Sequence, residues 1–308
     1  MPLLSNGIAV REYYPVVNKY LTKRLSPLGM LTRLPGLKAS RSSDITWFER
    51  ELVPERFTLE RFAGTKRVLD VDDAIWLNRP QFSEQLASHC QGVIAGNDFI
   101  ADHFRECGAR VWMVPTSIDT ERWQPAPVRQ TDKWTVGWMG SSSNLKYLHL
   151  MDEPLADFLR DHEHTELLVV CDRRPAFKRI PGNKWRFVRW SPENEVPLTQ
   201  SMKVGLMPLA ADEWSRGKCA LKMIIYMAVG IPSIVTPIGV AGELVKQYNA
   251  GLPAASADAW YNALCHLYKN SAVAADFGAR GRRLVEDQFS VSSNVLKLAT
   301  IFREIASE

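Results

Sequence analysis

From residue 44 onward, short apolar runs rich in β-branched and aromatic residues alternate with longer stretches in which apolar positions recur at helical spacing. The short runs predict strands at Ile45–Phe48, Arg67–Asp70, Gly92–Ala95, Val111–Val114, Trp134–Met139, Glu166–Val170, Trp185–Val188, Val204–Met207 and Ser233–Val235. Helical spacing fills gaps between them, at Asp98–Cys107, Asn144–Arg160 and Lys218–Val229. This alternation predicts an α/β protein with parallel sheets, whose strands carry near-continuous apolar residues because helices cover both faces. The stretch Ser117–Lys133 breaks the rhythm: it holds Pro125 and Pro127, carries no apolar period, and is followed by a fresh strand. Two doubly wound α/β domains facing a cleft are therefore expected, the first over residues 1–125 and the second over 126–290. In such sheets ligands bind beyond the carboxyl ends of the strands.

Composition narrows the class. With 46% hydrophobic residues and a net charge of only +4 over 308 residues, the chain is globular, not disordered. The longest apolar run, Met223–Val235, is interrupted by Gly230 and Pro232 and is too short to span a bilayer. Met1 leads into Pro2, Ser5 and Asn6 without a charged start and an apolar stretch, so no signal peptide is expected. Cys90, Cys107, Cys171, Cys219 and Cys265 stand far apart, odd in number and without a CxxC pair, which suits reduced thiols in the cytoplasm and neither a zinc site nor a disulfide framework. His162-Glu163-His164 beside Asp161 has metal-ligand residue types, but ADFLRDHEHTE reads as the polar end of a helix, and no metal is assigned.

Charge is uneven along the chain. Residues 1–43 hold Arg11, Lys19, Lys23, Arg24, Arg33, Lys38 and Arg41 against Glu12 alone, a net +6 that leaves −2 for the remainder. This segment is either a solvated helical face or a landing surface for an anion such as a phospholipid headgroup, a lipid phosphate or nucleic acid. Tyr13–Leu25 sets an apolar stripe beside its basic residues, which suits peripheral membrane contact through residues 11–41. Nucleic acid is disfavoured as a partner, because no recognised binding motif is present.

Two stretches carry candidate chemistry. After the strand Trp134–Met139 come Gly140, Ser141, Ser142, Ser143 and Asn144, then a helix with Lys146 in its first turn. Free backbone N–H groups, a positive helix end and a lysine suit a phosphate, although the sequence is neither GxGxxG nor a Walker A loop. The second stretch runs Arg216-Gly-Lys218-Cys-Ala-Leu-Lys222 and is expected to open a helix that Gly230-Ile-Pro232 ends. Lys218 and Lys222, read as i and i+4 on that helix, would share one face at its positive end. Like charges there cost a few tenths of a kcal/mol unless an anion lies between them.

Taken in order, these stretches resemble the donor-site half of retaining GT-B glycosyltransferases of family four. Arg216–Lys222, Tyr226-Met-Ala-Val-Gly-Ile-Pro232 and Thr236-Pro-Ile-Gly239-Val-Ala-Gly-Glu243 carry the likeness. Gly137-Trp-Met-Gly140 resembles the first strand and loop of that domain, and Val188-Arg-Trp190 the strand near the nucleobase. Gly278–Phe289 resembles the closing helices, which implies that residues 291–308 cross back to the first domain. In that domain Asp70-Val-Asp72-Asp73, Val93-Ile-Ala-Gly96-Asn97 and Val114-Pro-Thr-Ser-Ile-Asp119 also match. The resemblance implies two Rossmann-like domains and transfer of a sugar from a nucleotide diphosphate sugar, with retention and without a bound metal or other cofactor. It places Gly140, Ser141, Ser142, Lys146, Arg216, Lys218 and Lys222 at the donor diphosphate, and Asp172, Trp190, Glu213, Gly239, Val240 and Glu243 at the donor sugar or nucleoside. Asp72, Asp73, Lys218 and Lys222 are the candidate catalytic residues. A glycan or lipid-linked, anionic acceptor is expected, with the protein cytoplasmic and peripheral at the inner face of a membrane.

The sequence departs from that family pattern in three places. Two glutamates eight positions apart on the donor helix correspond here to Gly217 and Ile225, and an arginine after the first glycine corresponds to Ser141. The usual first strand–loop–helix unit is missing, since Ser5-Asn-Gly7 already reads as a helix end leading into a strand at Ile8–Tyr13. These departures keep open a non-catalytic sugar-nucleotide-binding or scaffold subunit, and a GT-B-fold epimerase or phosphorylase is a further alternative.

Overall fold

A computed structural model describes residues 2–13, 31–49, 52, 59–77, 80–126 and 133–308. The chain forms two compact units: residues 1–116 with 216–219 and 292–308, and residues 117–215 with 220–291.

In the second unit six parallel strands lie in the order β10-β9-β8-β5-β6-β7: Trp134–Met139 (β5), Thr165–Cys171 (β6), Trp185–Arg189 (β7), Val204–Met207 (β8), Ser233–Val235 (β9) and Leu252–Pro253 (β10). Side chains alternate across a strand, and β6 shows the result: Leu168 and Val170 join the core on one face, Leu167, Val169 and Cys171 the core on the other. The first core is closed by the helices Leu221–Ala228 and Gly239–Tyr248, the second by Asp152–Asp161 and Ala257–Lys269. Two-sided burial is why the central strands read as near-continuous apolar runs.

In the first unit Thr46–Phe48 (β1), Arg67–Val71 (β2), Gly92–Ala95 (β3) and Val111–Met113 (β4) form a parallel sheet in chain order. The C-terminal helix Val291–Ser307 packs Ile301, Phe302 and Ile305 against Val68, Ile94 and Val114. Arg303 donates to the Asn6 carbonyl at 2.6 Å, and Arg110 pairs with Glu308 at 2.6 Å and with Glu304. The helices Pro80–Ser88 and Asp98–Glu106 pack on β2 and β3.

Three expectations are corrected. The single helix over Asn144–Arg160 is two, Leu145–His149 and Asp152–Asp161. Pro154 cannot continue a helix already under way but is tolerated in the first turn of a new one. Residues 8–13 form no strand: Leu4–Asn6 is one 3₁₀ turn ended by Gly7 at φ +77°, and Ile8 packs against the Val68–Ile305 cluster instead of pairing. The third concerns Lys218 and Lys222, below. The basic stripe Tyr14–Leu25, with Lys19, Lys23 and Arg24, lies outside the described residues.

Candidate active site

The six-stranded sheet changes direction at its centre. From β5 the chain steps outward to β6 and β7, then returns to the other side of β5 as β8 and winds outward again through β9 and β10. Connections leaving β5 and β8 therefore diverge, and the crevice beyond their carboxyl ends is where such sheets bind ligands. Tyr226, fully buried on the helix Leu221–Ala228, bridges the two strands. Its hydroxyl accepts from the Met139 N–H at 3.2 Å and donates to the Leu206 carbonyl at 3.3 Å.

Gly140 follows β5, its N–H donating to the Val170 carbonyl at 3.0 Å. A Cβ at this position would lie 2.7 Å from Lys222 Cε and 2.9 Å from the Trp138 ring, so the bare backbone is what lets Lys222 lie across the loop. The Lys222 ammonium stands 5.8 Å from the Trp138 ring centroid. Ser142 donates through its N–H at 2.6 Å and its hydroxyl at 2.8 Å to Asp172, tying this loop to the end of β6. The same hydroxyl bond holds the Asp172 carboxyl below its ordinary range. Ser141 and Ser143 share a hydrogen bond at 2.8 Å, and the Asn144 amide donates to Ser141 at 3.0 Å. The helix that follows, Leu145–His149, is little more than one turn, and the exposed Lys146 rests its ammonium 4.8 Å from the Tyr147 ring. In this unit Lys222 is the cation that the fold lays against the Gly140 backbone.

Further along the same edge, Trp190 follows β7 and is 43% exposed. Its indole N–H donates to Glu195 at 2.8 Å, and Glu195 pairs with Arg122 at 2.7 Å, fixing a flat aromatic surface beyond the strand. Gly239, at φ +52°, and Val240 open the helix after β9, with Glu243 on its exposed side. Glu213 is exposed at the start of the short helix Glu213–Arg216.

The remaining candidates gather in the first unit. Asp72 and Asp73 follow β2, and residues 216–219 are fastened beside them. Asn97 donates to the Gly217 carbonyl at 3.0 Å and to Cys219 Sγ at 3.3 Å, while the Cys219 thiol donates to the Asp72 carbonyl at 3.1 Å. Burial pushes the Cys219 thiol up to about 12, so it stays a donor. Lys218 pairs with Asp73 at 3.5 Å, and the Arg216 guanidinium lies 4.7 Å from the Phe99 ring centroid. Burial, reinforced by the charge of Asp72, raises the Asp70 carboxyl to about 7 even though Trp47 donates to it at 3.2 Å.

Lys218 and Lys222 are not neighbours on one helix. Ala220 takes the left-handed conformation at φ +55°, the helix begins only at Leu221, and the lysines belong to different compact units. Sequence reasoning missed Asn97 as a site residue, because an asparagine before a helix reads as a cap. It is that too, accepting from the Ile100 N–H at 2.9 Å, but its amide N–H₂ holds residues 216–219 as well. It missed Tyr226 because a tyrosine in an apolar helix reads as core.

Among the described residues, His162 and His164 belong to no group of three converging metal-ligating side chains. The His162 ring packs on Phe158 and Tyr268 with centroids 4.8 and 4.6 Å away, and its Nε2 is 3.5 Å from Cys265 Sγ.

Residues 133–270 match the model of the family described as glycosyl transferases group 1. The match covers somewhat less than half of the chain and spans most of the six-stranded unit. No curated protein sequence matches the chain. Among solved structures, sucrose-phosphate synthase from Thermosynechococcus elongatus superposes with a TM-score of 0.69 at 15% identity, over 96% of this chain and 82% of that one. Anabaena HepE, in complex with UDP and glucose, gives 0.71 at 14% identity over 98% and 88%. WaaG, a glycosyltransferase involved in lipopolysaccharide biosynthesis, gives 0.60 at 16% identity over 79% of each chain. The fold is GT-B.

Proposed function

We propose that the protein transfers a glycosyl group from a nucleoside-diphosphate sugar to a glycan or lipid-linked acceptor, with retention, and that basic side chains rather than a metal take the leaving diphosphate. The observation that carries the reading is Lys222 laid against the bare Gly140 backbone at the switch point of a group 1 glycosyltransferase domain. A departing diphosphate gains negative charge in the transition state, and a cation already in place stabilises that gain without reorganising. Trp190 offers its exposed face to the nucleobase. The bonds from Ser142 to Asp172 keep the loop in shape for the phosphates. Support for the donor class comes from HepE, determined with UDP and with UDP-glucose, and support for a glycan acceptor from TarM, determined with UDP and α-GlcNAc-glycerol.

The acceptor reading rests on charge. Arg11, Lys38 and Arg41 are exposed, and so are Leu31 and Leu34, at 58% and 48%, a composition suited to an anionic membrane surface. No helix among the described residues is long and apolar enough to cross a membrane. The proposed contact is peripheral, from the cytoplasmic side. Co-sedimentation with anionic but not neutral vesicles is expected, and equal weak binding to both removes the idea.

The decisive assay follows nucleoside diphosphate release across a set of nucleotide sugars with EDTA present, and reads the anomeric configuration of the product by proton NMR. Lys222→Ala is expected to lower turnover by about 10²–10³, the usual cost of losing one charge-stabilising donor. Lys218→Ala is expected to lower it strongly as well, and undiminished turnover in both variants sinks the assignment. A second reading, a sugar-nucleotide-binding subunit without transfer, is favoured by Gly217 and Ile225 standing where the family pattern has glutamates. Donor binding without turnover, with cell-derived acceptors present, selects it.

A further inference from the structure

Three metal-ligating side chains of different kinds converge in the first unit. Glu84 lies on the helix Pro80–Ser88; His103 lies on the helix Asp98–Glu106, and Cys107 caps that helix at its carboxyl end. Their ligand atoms all lie within 4.8 Å of one another. His103 Nε2 is 3.9 Å from Glu84 Oε1 and 3.8 Å from Cys107 Sγ. For nitrogen and oxygen, 3.9 Å is too long for a hydrogen bond. The sulfur–nitrogen separation is within reach of a weak thiol–imidazole hydrogen bond, and both separations lie near the edges of a tetrahedral zinc site, about 3.3–3.8 Å for bond lengths of roughly 2.0–2.3 Å.

Three further features suit a cation. His103 and Cys107 are four apart, so one helix turn places both on one face. The carboxyl end of a helix carries partial negative charge. The imidazole is held by packing: it stacks on Trp76 with centroids 4.1 Å apart and planes 6° off parallel, and Phe104 meets it edge-on at 5.1 Å.

We propose that Glu84, His103 and Cys107 bind a divalent ion of the zinc class through Oε1, Nε2 and Sγ, with solvent as the fourth ligand. Carboxylate and thiolate together balance the ion's charge. The thiol binds as thiolate, so each ion bound releases one proton from Cys107. The ion would sit at the opposite end of the helix that Asn97 caps, about 13 Å away at 1.5 Å per residue. Its place is structural or regulatory, and it takes no part in the transfer chemistry proposed above.

The test uses the full chain, metal-free and kept reduced, titrated with Co²⁺ and then Zn²⁺. A thiolate-to-cobalt charge-transfer absorption is expected at one equivalent, lost on adding Zn²⁺. It should be absent in Cys107→Ser, a substitution at an exposed position that leaves the core intact. Glu84→Gln and His103→Gln should weaken Zn²⁺ binding by more than the roughly 10–100-fold that losing an outer-sphere partner costs. Cys107 is the exposed cysteine among the five, so Zn²⁺ should also slow its alkylation at least tenfold in the native chain. No charge-transfer band in the native chain, a band that persists in Cys107→Ser, or Glu84→Gln binding within threefold of native would each overturn the site.

Discussion

Gly140→Ala tests whether Lys222 is held where the donor reading needs it. The added methyl would lie 2.7 Å from Lys222 Cε and 2.9 Å from Trp138 ring atoms, whereas carbon atoms sit comfortably at about 3.5–4.0 Å. Something must move by roughly 1 Å. Trp138 is 1% exposed and locked among Val136, Leu145 and Leu148, so the flexible Lys222 stem yields. Overpacking costs about 1–3 kcal/mol, here at the low end because a partly exposed side chain gives way, so melting should fall by only a few degrees. A displacement of about 1 Å in a positioned charge costs on the order of 10²-fold in rate, or about 2.7 kcal/mol of transition-state stabilisation. The expected result is therefore a large loss of kcat/KM with a small loss of Tm, read from initial rates of nucleoside diphosphate release and thermal melts. In a Lys222→Ala background the same substitution should cost less than about threefold, because its effect runs through the missing side chain. Equal losses in both backgrounds, or full activity with a lowered melt, would refute the reasoning.

Substitutions at three other positions probe the frame around the site. Between the ordinary carboxyl value of 3.8 and about 7, folded Asp70 keeps a proton that the unfolded chain has lost, so stability falls as pH rises through that window. Asp70→Asn, which still accepts from Trp47, should flatten that slope in urea melts at pH 4.5 and 8; an unchanged slope would clear Asp70 as its source. Asn97→Ala should cost about 1 kcal/mol for the helix cap and also release residues 216–219. Asn97→Asp keeps the cap acceptor but loses the donor to Gly217, so faster amide exchange at 217–219 in both variants, with cap loss in Ala alone, is the outcome to look for. Arg282 donates to the carbonyls of Thr120 and Trp123 and, at 2.6 Å, of Ala228, and pairs with Glu286 at 2.6 Å. Arg282→Met should lower unfolding free energy by about 3 kcal/mol, two charge-assisted bonds' worth, and a urea midpoint within error of native would show that these carbonyls find other partners.

The strands were legible because two-sided burial writes itself into the sequence. In β6, alternate residues from Leu167 to Cys171 serve different cores, so each of those five positions is apolar and the run cannot be mistaken for a half-exposed strand. β10 was not legible: two residues, one of them Pro253, leave no pattern, and the proline is tolerated only because the strand lies at the sheet edge. Gly140 and Lys222 were both found, from a strand-end loop and a helix start, while the contact between them needed the fold. Glu84 was invisible as a ligand partner, because 19 positions separate it from His103 and only the packing of two helices brings them together. Lys218 and Lys222 were misread for a subtler reason. Spacing of four implies one helix face only if the residues between are helical, and nothing about alanine announces a left-handed turn, a conformation that costs roughly 1–2 kcal/mol for a residue with a Cβ. Ala220 holds it because both sides are fixed: Asn97 and Asp72 bind Gly217 and Cys219 ahead of it, and the core seats Met223 and Ile224 behind it. The strain is the cost of sending one lysine to each compact unit. Lys218 lies ahead of the helix that begins at Leu221, so the rule for like charges at i and i+4 on one helix face does not apply to this pair. Each lysine has to be explained by its own surroundings: Lys218 by Asp73, and Lys222 by the glycine that leaves room for it.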